Sequence, residues 1–197
     1  MFARISKYFE KKSALLLNPL KLDSKARDRL EVERRKRGMD LHLEIKIMRD
    51  KEKSGAVHIG FVQASLDKPV HQALGQVISS EDFESLTNGL ISYEEEEGKY
   101  LFYPNIDLVW EDSPRATFKR IRANKPFTKK GQTWSSDAGC SYPPIKSILT
   151  NVNVISCYAK GTIFQIEVKA ELFTAEIEEE ISEYILIYFS RLYPPLA

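Results

Sequence analysis

Between Leu41 and Met48 the chain alternates: Leu41, Leu43, Ile45 and Ile47 fall on one side of an extended backbone, and His42, Glu44 and Lys46 on the other. A period of two is the mark of a half-buried strand. Ala56–Ala64 reads as a second strand, with polar Asp50–Gly55 as the hairpin loop between them. From Asp67 the spacing changes. Asp67-Lys68-Pro69 offers a cap with proline near the first turn, and Val70, Ala73, Leu74, Val77 and Ile78 follow at helical intervals. Ser80, Glu81 and Asp82 then open a second expected helix carrying Phe83, Leu86, Leu90 and Ile91 on one side. Strand character returns at Tyr100–Tyr103, Ile106–Trp110, Ala116–Arg122, Asn151–Tyr158 and Thr162–Phe173. In the last, Ile163, Gln165, Glu167, Lys169 and Glu171 alternate with Phe164, Ile166, Val168, Ala170 and Leu172, the pattern of an antiparallel strand with one dry face. A closing helix is expected from Thr174, with acids in its first turns and Ile177, Ile181, Tyr184, Ile185 and Tyr188 as its buried stripe. This order predicts an α+β fold: an antiparallel sheet of about five or more strands with helices packed mainly on one face. Between the strands, Asn124–Pro144 shows neither period and reads as a long exposed loop.

The first forty residues are different in kind. Segment 25–37 is charged nearly all round, with Leu30 and Val32 as its only large apolar side chains, which predicts a solvated helix or a disordered stretch ending at Gly38. The expected organisation is a basic arm over 1–38, a single domain over 39–192 and a proline-containing tail over 193–197. The 197 residues sum to a net charge of +1, but residues 1–37 hold twelve Lys or Arg against five acids. The remainder is therefore acidic overall, yet it contains a basic run with no acid inside it: Arg115, Lys119, Arg120, Arg122, Lys125, Lys129 and Lys130. Glu94–Glu97 and the group around Glu176–Glu183 oppose it. Cys140 and Cys157 form no CxxC pair, which fits a reducing compartment and no zinc site. No stretch is long and apolar enough for a transmembrane helix, and the N-terminus lacks the pattern of a secretory signal.

Candidate chemistry is sparse. The three histidines, His42, His58 and His71, all precede residue 72, and neither GxSxG, GxxxxGK[ST] nor GxGxxG occurs. No complete catalytic set is recognised, so the expectation is a protein that is not an enzyme and has no cofactor and no small-molecule substrate. A metal-dependent nuclease is the enzymatic alternative, with Asp107 and the Glu167-Val168-Lys169 triplet as Mg²⁺ ligands and phosphate contact. Such triplets also arise on the wet face of ordinary strands, as Glu44-Ile45-Lys46 does here. The basic run suits an anionic surface, either phosphate backbone or acidic lipid. Trp134, inside the expected loop, is either an exposed docking residue or a side chain folded back onto the domain.

One passage, Tyr158-Ala159-Lys160-Gly161-Thr162-Ile163 followed by an alternating strand and an acidic segment, resembles the Lys-Gly-Thr-Ile strand of rhabdovirus matrix proteins. The order of elements over about residues 40–190 is similar too. That resemblance implies a viral structural protein that self-associates and links the nucleocapsid to the inner face of a membrane during assembly and budding. It also implies location in the virion and host cytoplasm, peripheral to the membrane. By the same resemblance, Arg4, Lys7, Lys11 and Lys12 are candidates for acidic lipid, and the 115–130 basic residues for nucleocapsid or RNA. The terminal Leu192-Tyr193-Pro194-Pro195-Leu196 resembles the Leu-Tyr-Pro-x-Leu late motif through which viral structural proteins recruit a host ESCRT adaptor. A nucleic-acid-binding accessory protein, such as an RNA silencing suppressor, is the alternative reading.

Overall fold

The computed structural model describes residues 20–63, 70–73, 76–79, 82–135, 140, 143–151, 153–169 and 173–197. It divides into two compact units, Met1–Met48 with Ala56–Asn105, and Arg49–Gly55 with Ile106–Ala197. The single domain expected over 39–192 is thus replaced by two bodies, because the chain builds separate sheets before and after residue 105.

The first unit opens with β1 (Leu20–Leu22) and α1 (Ser24–Arg37). Asp23 caps the helix by accepting from the Ala26 amide at 2.7 Å. Gly38, at φ 117°, ends it and donates to the Arg34 carbonyl at 2.8 Å, while the basic last turn of Arg34–Arg37 suits the negative end of the helix dipole. This segment was expected to dock weakly, yet Ala26, Leu30 and Glu33 form a buried stripe and α1 packs against β6 (Gly89–Glu94). Ion pairing makes that possible. Glu33, only 3% exposed, is held by Arg29 at 2.7 Å and Arg37 at 3.0 Å. Those two guanidinium groups also lie over the rings of Tyr93 and Phe61 at 5.4 and 5.3 Å, so the charged residues supply packing surface as well as charge.

Strand β2 (Leu41–Arg49) follows its alternation, with Leu41, Leu43, Ile45 and Ile47 buried, and β3 (Gly55–Gln63) is its neighbour. The helix expected from Asp67 is instead two short strands, β4 (Val70–Ala73) and β5 (Gln76–Ser79); Asp67–Pro69 lie outside the described residues. Tertiary pairing overrides local spacing here. β5 runs parallel to β2, matching Leu43 with Gln76 and Ile45 with Ile78, and the Gln76 side chain donates to the Leu20 carbonyl at 3.2 Å. The second expected helix shortens to one turn, α2 (Phe83–Leu86), because Asn88 takes a left-handed φ of 61° and Gly89 starts β6 beneath the Phe102 ring, where no Cβ fits. Leu90 and Ile91 therefore lie on opposite faces of a strand that pairs with β7 (Lys99–Tyr103) and, in parallel, with β1.

The second unit is an antiparallel five-stranded sheet, and it bears out the predicted α+β class. β8 (Leu108–Glu111), β9 (Phe118–Ala123), β10 (Thr128–Ser135), β11 (Val154–Gly161) and β12 (Ile163–Val168) lie in the order β10-β11-β12-β9-β8. Gly161, at φ 56°, makes the tight turn from β11 into β12. Two helices, α3 (Pro143–Thr150) and α4 (Ala175–Ser190), pack on each other, and their apolar sides join Ile121, Cys157, Ala159, Phe164, Ile166 and Val168 in one core. α4 begins after Thr174 as expected and buries Ile181, Ile185, Tyr188 and Phe189.

The supposed loop over Asn124–Pro144 contains both β10 and the first residues of α3. β10 is an edge strand of mostly exposed polar residues, so it lacks the apolar alternation that would reveal it. Trp134 is 9% exposed and belongs to the core, which answers the docking question with the bland alternative.

Candidate anion-binding surface

Alternation separates the two faces of the five-stranded sheet. Ile121, Ala123, Cys157, Ala159, Phe164 and Ile166 point into the core, so Arg120, Arg122, Tyr158, Lys160, Ile163 and Gln165 lie on the opposite face. Register aligns them into rows across the strands. One runs Glu111, Arg120, Gln165, Tyr158, Thr133, and the next runs Val109, Arg122, Ile163, Lys160. Exposed apolar surface marks this face as well, for Val109 is 57% accessible.

The basic run fares unevenly. Arg115, Arg122, Lys129 and Lys130 are exposed. Arg122 nevertheless meets Glu111 on β8, Nε to Oε1 at 2.5 Å, and Arg120 approaches the other oxygen at 3.8 Å, so the acid that is missing from the sequence run arrives from the adjacent strand. Arg120 Nε is buried and has no hydrogen-bond partner among the described residues. Lys119 is half-buried with its ammonium 5.3 Å from the centre of the Phe173 ring, which removes it from the wet face. Lys125 is also not a surface contact: it is 5% exposed, and burial lowers its pKa to about 8. Arg4, Lys7, Lys11 and Lys12 lie outside the described residues.

The C-terminal motif is docked rather than free. Leu192 and Tyr193 are buried, the Tyr193 ring stacks on Tyr188 with centroids 5.4 Å apart, and Pro194, Pro195 and Leu196 are half-buried. Leu196 pairs in parallel with Thr128: its amide donates to the Phe127 carbonyl at 3.0 Å and its carbonyl accepts from Lys129 at 2.7 Å. Arg49 Nη1 donates to the Leu192 carbonyl at 2.6 Å. The tail expected at 193–197 as an independent segment is therefore part of the second unit, because its own apolar side chains complete that core.

The nuclease constellation does not assemble. Asp107 sits beside the end of β9 at Ala123 and accepts from the Asn124 side chain at 3.0 Å, whereas Glu167 pairs with Phe118 at the other end and accepts from Ser156 at 2.8 Å. Five residues of strand, about 17 Å, separate them along β9. Among the described residues no three His, Cys, Asp or Glu side chains are placed to hold a metal ion. The thiol of Cys157 is pushed up to about 12 by burial and, second, by Cys140, so it stays protonated at neutral pH and is a poor nucleophile. His42 is held below its ordinary value by burial and by Arg34.

Sequence reasoning missed Glu111, Tyr158 and Gly131 as members of this surface. A Cβ on Gly131 would meet the Tyr158 hydroxyl at 2.6 Å, so the bare glycine backbone is the floor on which that ring lies. Only the strand register brings these positions together. No protein-family model, no curated protein and no solved structure matches the chain.

Proposed function

We propose that the chain is a non-enzymatic assembly protein of the viral matrix kind, which self-associates and joins nucleocapsid to the acidic inner face of a membrane. The observation that carries the reading is that Arg115, Arg122, Lys129 and Lys130 are exposed on the second unit, spread over one edge strand, one inner strand and the turn before it, with Arg122 already paired with Glu111. Each basic residue close to an acidic surface contributes ~1 kcal/mol before screening, so the exposed cations that reach such a surface give a salt-sensitive attraction. The arm residues Arg4, Lys7, Lys11 and Lys12 add four more cations to the same chain. The resemblance to rhabdovirus matrix proteins falls on β11 and β12, in the middle of that sheet. The protein then works in the virion and host cytoplasm, peripheral to the membrane.

Sedimentation with phosphatidylserine vesicles at low and high salt tests this reading. The full chain should pellet at low salt and be released at high salt, and serine at Arg4, Lys7, Lys11 and Lys12 should reduce pelleting. Truncation should stop at residue 19, because residues 20–37 form β1 and α1. Indifference of the full chain to vesicles at low salt would remove the membrane part of the proposal.

A further inference from the structure

We infer that the face of the five-stranded sheet opposite α3 and α4 binds single-stranded nucleic acid, with a base stacked on Tyr158 and phosphates held by Arg120, Arg122 and Lys160. This narrows the anionic partner of the proposed function and rests on that reading, with Arg122 common to both sets of cations. The face combines two features that a strand of nucleic acid needs together and a lipid headgroup layer does not: an aromatic ring for a base and cations spaced beside it for the backbone.

Spacing follows from the sheet itself. Lys160 is two residues beyond Tyr158 on β11, about 7 Å away on the same face, while Arg120 lies two strands across in the same row, at about 10 Å, and Arg122 diagonally, at about 12 Å. The Tyr158 ring lies along the sheet over Gly131, where a side chain would displace it. The Arg120 side chain is 41% exposed, so the accessible part of its guanidinium can meet a phosphate oxygen from solvent.

Among the described residues, Glu111 and Glu167 lie on the face beside these cations, and they set the terms of binding. Glu167 is engaged by Ser156 and sits a row away from Arg120. Glu111 meets both Arg120 and Arg122, so an incoming phosphate must compete with a carboxylate for the same guanidinium groups. Removing the charge of Glu111 should therefore strengthen nucleic-acid binding, the opposite of what most surface substitutions do.

The test is fluorescence anisotropy of a labelled single-stranded oligoribonucleotide of about 12 nucleotides, a length suited to one small binding domain, titrated with the full chain. Phosphatidylserine vesicle pelleting is measured beside it, and each variant's melting temperature is recorded. Tyr158→Ala should weaken oligonucleotide binding about tenfold, the usual scale for losing one stacking platform, while Tyr158→Phe retains it. Glu111→Gln should tighten binding several-fold and steepen its salt dependence. Gly131→Ala should weaken binding without altering charge, and vesicle pelleting should be unchanged by Tyr158→Ala. Vesicle pelleting without oligonucleotide binding would overturn this inference and leave the membrane reading standing. Oligonucleotide binding that ignores both Tyr158→Ala and Glu111→Gln would equally overturn it, by placing the site elsewhere.

Discussion

Lys125 shows how one side chain can be misassigned by its neighbours in sequence and then identified by its surroundings. It stands in a basic run, but it is buried, and its pKa of about 8 lies below the 10.5 of a solvated lysine. A folded-state pKa below the unfolded one means that the unfolded chain retains a proton the folded chain has shed between those two values. Stability therefore rises with pH across that window, by up to about 1.4 kcal/mol per pH unit for one group. Below pH 8 both states are protonated and the whole cost of burying the ammonium is present. The expected outcome is that the wild-type chain gains stability relative to Lys125→Met as pH increases from about 8 to 10.5. Urea unfolding midpoints of the two proteins across that range check it. Parallel curves would show that another group dominates.

At the scale of elements, the C-terminal strap makes the sharpest claim. Tyr193 is 3% exposed and stacked on Tyr188, and the following residues add a parallel bridge to the edge of β10. Tyr193→Ala should cost about 3 kcal/mol, in the range for removing a large buried aromatic side chain. Denaturant unfolding followed by tryptophan fluorescence measures it. The same docking governs any adaptor that reads Leu192–Leu196, because Tyr193 cannot fill both its own core and a partner's groove. A peptide of residues 190–197 should bind such an adaptor more tightly than the folded chain does, and equal affinities would mean that the strap opens freely. How much of this was legible depends on where the information resides. β2, β12 and α4 were readable because each buries a continuous periodic face, as Leu41-Leu43-Ile45-Ile47 does. β10 was not, since an edge strand of exposed Lys, Gly, Gln and Thr is stabilised by its partner and not by its own pattern. β5 was misread because Val77 and Ile78 suit a helix as well as a strand, and only the edge of β2 decides between them. For the candidate surface, the sequence gives the cations but hides Glu111, whose register with Arg120 and Arg122 exists only in the sheet.

For the whole molecule, the division into two compact units has a consequence that the placement of tryptophan makes measurable. The chain has two tryptophans, Trp110 and Trp134, and both belong to the second unit, where Trp134 is buried and the Trp110 indole donates to Ser182 at 3.0 Å. Their fluorescence therefore reports the core under α3 and α4, while far-ultraviolet circular dichroism reports the strands and helices of both units. Two cores that unfold separately give transitions that do not coincide, the standard sign that a two-state description fails. Glu33 provides the lever on the first unit alone. Replacing this buried carboxylate by alanine strips Arg29 and Arg37 of their partner, and because those partners are themselves about half-exposed the loss should be about 2 kcal/mol and not the larger cost of a fully buried pair. Glu33→Ala should shift the part of the dichroism transition that belongs to α1 and its sheet and leave the fluorescence midpoint where it was. If both signals move together, the two units unfold as one cooperative body, and a lesion in either one is felt by the five-stranded sheet.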